Sequence, residues 1–143
     1  MEEKKIVFIY NDLASIKDNY IFVAEYYNIG TKHFFYPEDF EEWIKKENNV
    51  ENIKLIILGH YFPGNGHPNI KHGYFRGLEF YNTIRENAMF ENIKIIIPCT
   101  MLKKENDYEK KLKEMNISLK EGDKFIDIYF FGAIYDTQIE ILK

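Results

Sequence analysis

The sequence predicts an α/β protein built on a parallel sheet of five strands with helices on both faces. Three observations carry this. Five short apolar runs recur along 143 residues. The segments between them space their apolar residues three and four apart, as one face of a helix does. Two of the inner runs are unbroken Ile/Leu stretches, a pattern suited to strands covered on both faces and not to strands with one wet side.

The strands are expected at residues 6–10, 33–36, 53–58, 93–97 and 125–131. After the first, Ile16, Tyr20, Val23, Ala24 and Tyr27 follow helical spacing, with Gly30 placed as a stop. Pro37 fits a first helical turn, where its missing N–H is no loss, and Phe40, Trp43 and Ile44 continue as an apolar stripe. Gly77, Tyr81, Ile84 and Ala88 mark a third helix, with Leu78 and Phe80 beside the stripe. Tyr108, Leu112 and Met115 mark a fourth inside the charged run 103–114, which reads as a solvated face with pairs such as Glu109 and Lys113. Residues 133–143 fit either a short fifth helix or a last strand. Strand–helix alternation implies right-handed crossovers, and the common five-strand solution is the doubly wound, flavodoxin-like order 2-1-3-4-5, whose ligands gather at the carboxyl ends of strands one and three.

Length fits a single domain over residues 1–143, able to bury roughly 70 % of the surface of the unfolded chain. Apolar residues make up 45 %, charged residues 29 % and aromatic residues 17 %, so the core is expected to be ring-rich. A net charge of −4 with Lys and Glu interspersed offers no basic stripe, which argues against nucleic acid as a partner. The single cysteine, Cys99, excludes an internal disulfide and fits a reducing compartment. The acidic start and the short apolar run after it do not make a signal peptide, and no apolar run reaches membrane-spanning length, so a cytoplasmic protein without membrane contact is expected.

Three segments lie at or beside the sheet edge where such folds hold their chemistry. They are Ile6-Val7-Phe8-Ile9-Tyr10-Asn11-Asp12-Leu13-Ala14-Ser15, Leu55-Ile56-Ile57-Leu58-Gly59-His60-Tyr61-Phe62-Pro63-Gly64, and Gly77-Leu78-Glu79-Phe80-Tyr81-Asn82-Thr83-Ile84-Arg85-Glu86. In these the chain resembles the receiver domain of bacterial two-component response regulators over about residues 4–131. The resemblance implies two acids after strand one holding Mg²⁺, an aspartate nucleophile after strand three, a Thr or Ser after strand four and a Lys after strand five. Hard cations want carboxylate oxygens, the nucleophile must be an oxyanion, and a cation neutralises the phosphoryl charge. Carried over, the acids become Asn11 and Asp12 and the nucleophile becomes Gly59; the hydroxyl is Thr100, or Cys99 if the strand is one residue shorter. No lysine occurs between Lys124 and Lys143. The resemblance therefore implies a degenerate pocket, a pseudo-receiver without phosphoryl chemistry. Against the family's spacing, about ten residues are inserted between Pro63 and Gly77, a loop at about 64–74.

That loop contains His67 and His72, and Tyr61, Phe62, Tyr74 and Phe75 flank it. Rings give contact area at low entropy cost, so a recognition role is expected. His60, His67 and His72, with Asp12 nearby, raise the question of a metal, yet their spacing matches no zinc motif, and histidines in a Gly/Asn-rich loop are commonly incidental. Cys99 beside His60 could make a thiolate nucleophile, but a buried structural cysteine is the plainer reading. Residues 11–17 lack the glycines of a flavin phosphate cradle, so no cofactor is expected. The reading favoured is a non-phosphorylatable, receiver-like protein-interaction module without enzymatic activity. Its partner is another protein or a second copy of the chain; the resemblance points to a homodimer through the fourth helix, fifth strand and fifth helix. The alternative is a flavodoxin-like enzyme binding a small ligand or metal, with residues 60–75 as a lid.

Overall fold

A computed structural model describes residues 4–10, 28–47, 50–62, 75–99 and 105–127. Five strands, β1 (Lys5–Ile9), β2 (Gly30–Phe34), β3 (Ile53–Leu58), β4 (Lys94–Cys99) and β5 (Lys124–Asp127), form one sheet in the order β2-β1-β3-β4-β5. Every neighbouring pair is parallel. The helices are α1 (Pro37–Glu47), α2 (Arg76–Glu86) and α3 (Glu105–Glu114), with short 3₁₀ turns at Val50–Asn52 and Ala88–Phe90.

Alternation along the strands sorts the apolar runs onto two faces. Val7, Ile9, Ile56, Leu58, Ile95 and Ile97 join one core cluster with Phe40, Phe80, Tyr81, Ile84 and Leu112. Ile6, Phe8, Leu55, Ile57 and Ile96 turn the other way and are equally inaccessible. Burial on both faces is the physical reason these runs are unbroken. Five rings gather at one place: Phe40 meets Phe34 and Phe80 edge-on at 5.7 and 6.1 Å and lies near Trp43 and Phe90. Such pairs each add about 0.5–1.5 kcal/mol beyond the area they bury.

α1 begins at Pro37 and carries Glu38 and Asp39 in its first turn and Lys45 and Lys46 in its last, each charge opposing the nearer end of the helix dipole. α3 exposes Lys110, Lys113 and Glu114 around the buried Leu112, and its chain turns where Asn116 takes φ 56°. There the Ile117 N–H donates back to Leu112 O at 2.8 Å, closing the turn. The α3 charged face holds Lys111 and Glu114 3.8 Å apart, while the Glu109 side chain lies outside the described residues.

Several boundaries differ from the sequence reading by a residue or more, β4 for one running on to Cys99, and two of the differences have a local cause. β2 runs over Gly30–Phe34 and not 33–36, because the left-handed turn before it falls at Asn28, φ 61°, so Gly30 opens the strand instead of ending a helix. Ala88 lies in a 3₁₀ turn and not in α2, since Asn87 leaves the helical region and its side chain accepts from the Met89 N–H at 3.0 Å. The helix expected over 16–27, the end of the fifth apolar run and residues 133–143 lie outside the described residues.

A buried polar cluster fixes the start of β5 to α2. The Asp123 carboxylate accepts from Tyr81 Oη at 2.6 Å, from Arg85 Nε and Nη2 at 2.9 Å each, and from the Ile95 N–H at 2.7 Å. Arg85 also donates to the Phe90 and Ile93 carbonyls, and Tyr81 Oη accepts from the Lys120 N–H. With its donors and acceptors largely matched, the cluster avoids the penalty of burying charge.

Candidate functional site

All five strands run the same way, so their carboxyl ends form one rim, and the order β2-β1-β3 puts the ends of β1 and β3 side by side. The ladder extends one step past the strands: Tyr10 N–H donates to Phe34 O at 3.0 Å and Gly59 N–H to Ile9 O at 2.7 Å. Tyr10 and Gly59 are thereby neighbours. A Cβ placed on Gly59 would stand 2.7 Å from Cδ2 and 3.2 Å from Cε2 of Tyr10, whose ring is buried. Those separations are shorter than van der Waals contact, so the Tyr10 ring occupies the space into which a side chain at 59 would emerge.

The first turn of α2 closes the rim from a second side. Gly77 N–H donates to His60 O at 3.0 Å, and a Cβ on Gly77 would fall 1.9 Å from Gly59 O and 2.6 Å from His60 Cα. Backbone meets backbone here, which only glycine permits. His60 is buried, with Nδ1 3.2 Å from the Pro98 carbonyl. A carbonyl only accepts, so this contact requires the proton on Nδ1. The β3–β4 ladder is paired through Ile57 and Ile96, and the histidine extends the join beyond it to a proline that has no N–H of its own.

The sequence-predicted residues divide clearly. Gly59 and His60 sit on the rim. Tyr61 is 47 % exposed, whereas Phe62 is fully buried in the core and Phe75 packs against it with Lys111 Nζ 5.1 Å from its ring centroid. Phe62 is therefore a core residue and not an exposed recognition ring, because it joins the cluster that holds Val7, Phe40 and Phe80. Cys99 ends β4, with its side chain outside the described residues. Asn11, Asp12, His67, His72, Tyr74 and Thr100 also lie outside them. Neither the metal set nor the Cys99–His60 pair is assembled from what is described.

Three features escaped the sequence. Tyr10 could have been paired with Gly59 only by knowing the register. The Asp123 cluster joins residues 38 and 42 positions apart. The third is Arg76, the first residue of α2, whose Nη2 donates to Glu38 Oε1 at 3.0 Å and whose guanidinium carbon lies 5.4 Å from the Phe80 ring centroid. Glu38 follows β2 and Arg76 follows the β3 loop, so this ion pair joins the amino ends of α1 and α2 beside the rim. Among the described residues, a recess of about 510 Å³ away from the rim is lined by Lys4, Val50, Glu51 and Met89 among others, and one of about 160 Å³ lies between α1 and α2.

No protein-family model and no curated protein sequence matches this chain. Solved structures do match it. A sensor protein from Polaromonas sp. JS666 superposes with a TM-score of 0.63 at 8 % identity, over 99 % of this chain and 97 % of that one. A two-component response regulator from Legionella pneumophila gives 0.54 at 17 % identity, over 97 % and 95 %. A bacteriophytochrome response regulator gives 0.56 at 16 % identity, over 95 % of this chain and 78 % of that one. The fold is that of response-regulator receiver domains.

Proposed function

We propose that this chain is a receiver-like module that acts through protein contacts and accepts no phosphoryl group at the β3 rim. The observation that carries the reading is the Tyr10 ring lying 2.7 Å from where a side chain on Gly59 would begin. Phosphoryl transfer to a receiver needs a carboxylate nucleophile there, and here the position has no side chain, while one added to it would start against the Tyr10 ring. The missing lysine after the fifth strand supports the same conclusion, because a transferred phosphoryl group would lack its neutralising cation.

The chain would then serve recognition. Tyr61 is an exposed ring at the rim, and the inserted stretch 64–74 joins its strand end to α2. Loops at this edge are where parallel sheets place binding. The partner is a protein or a second copy of the chain, in the cytoplasm. Among the described residues no helix is long and apolar enough to cross a membrane.

Incubation with acetyl phosphate and Mg²⁺ followed by intact-mass spectrometry tests the reading. An unchanged mass is expected for the wild type and for Gly59→Asp. A stable gain of one phosphoryl group, mapped to the β3 rim of the wild type, would overturn it.

A further inference from the structure

Arg76 is a guanidinium with little access to water, 7 % exposed, yet among the described residues it makes one hydrogen bond, to Glu38 Oε1. Its Nε is buried and has no hydrogen-bond partner among the described residues, and neither has Glu38 Oε2. A guanidinium and a carboxylate can form two parallel hydrogen bonds, so this pair is joined at one corner only. The asymmetry between the partners is informative. The Arg76 side chain is 8 % exposed and the Glu38 side chain 31 %, so the cation is fixed while the carboxylate reaches in from the rim. Phe80 supports one side of the guanidinium, and the amino end of the eleven-residue α2 adds its own partial positive charge.

We propose that Arg76 is a carboxylate-binding site held by an internal stand-in: Glu38 occupies it until a carboxylate from a partner protein, an Asp or Glu side chain, takes its place. An untethered carboxylate can approach side-on and satisfy both Nη2 and the orphaned Nε, which Glu38, tethered to the first turn of α1, does not do. Once released, Glu38 remains at the amino end of α1, where a negative charge is favoured. The class of ligand follows from the resident one: the site already holds a carboxylate. The inference rests on the interaction-module reading only for the source of that carboxylate.

Nuclear magnetic resonance tests it on the full ¹⁵N-labelled chain, following the Arg76 Nε–H signal during titration with sodium acetate, sodium phosphate and sodium chloride at matched ionic strength. Acetate should shift the signal saturably. Glu38→Ala should bind acetate about tenfold more tightly, the equivalent of one charge-assisted hydrogen bond, and Glu38→Gln should move in the same direction. In Arg76→Lys, which keeps the charge but has no Nε, the acetate response read at the Gly77 amide should vanish; the amide spectrum of each variant verifies its fold. No acetate-specific shift in Glu38→Ala, an equal response in Arg76→Lys, or a preference for phosphate over acetate would each overturn the assignment. Such a failure would leave the wild-type mass after acetyl phosphate treatment unaffected, so the two readings fail separately.

Discussion

Gly59 and Gly77 are glycines because backbone and ring occupy the space a Cβ would need. At Gly77 the obstruction is the Gly59 carbonyl and the His60 Cα, neither of which can rotate away. Gly77→Ala should therefore destabilise the fold by about 3 kcal/mol or more, measured by urea unfolding. At Gly59 the obstruction is a side chain, so the effect should depend on Tyr10. Gly59→Ala is expected to cost about 1–3 kcal/mol in the wild type and far less in a Tyr10→Ala background, with a coupling of at least about 1 kcal/mol in the double-mutant cycle. Additive costs would mean that the ring does not fill the position. The absence of an acid at 59 was legible in the sequence as soon as the strand was placed. Its structural complement was not, because Tyr10 reads as one more apolar strand residue until β1 is paired with β3.

α2 joins the two ends of the sheet. Its first turn seals the carboxyl rim through Gly77 and its later turns hold β5 through Tyr81 and Arg85. Burial, and then donation to Asp123, raise the Tyr81 phenol above its ordinary value. The sign follows from linkage: the unfolded chain releases this proton near pH 10, before the folded one does. Stability from this group is thus intact below about pH 10 and falls as pH rises through the folded value. Tyr81→Phe should lower stability at pH 7 by about 1–2 kcal/mol and flatten the alkaline limb of a thermal-melt series relative to wild type. Asp123→Asn should cost more, about 3–5 kcal/mol, because it leaves Arg85 without its counter-charge. A wild-type alkaline limb in Tyr81→Phe would count against this account of the cluster. Among elements, β3 and the start of α1 are legible in the sequence because an Ile/Leu run and a proline suited to a first helical turn are strong local signals. β2 was misplaced by three residues at its start because an asparagine made the turn that a nearby glycine suggested.

For the whole molecule, the sheet order was legible because strand–helix alternation and right-handed crossovers leave few solutions. Inner strands without polar alternation already implied a sheet buried on both faces. What the sequence did not disclose are long-range polar pairings: Arg76 with Glu38, Arg85 with Asp123 and His60 with the Pro98 carbonyl, each joining residues 38 positions apart. A periodicity of 2 or 3.6 records which face a residue takes and holds nothing about which charge it will meet. At the β3 rim the Tyr10 ring lies against Gly59 and the first turn of α2 lies against the Gly59 carbonyl, the two contacts on which the proposed reading rests. The direct test is an amide ¹H–¹⁵N spectrum recorded with and without beryllofluoride and Mg²⁺, which together mimic a phosphoryl group on a receiver aspartate. The account predicts no saturable shift at Gly59, His60 or Gly77; a saturable, Mg²⁺-dependent shift at these three amides would contradict it.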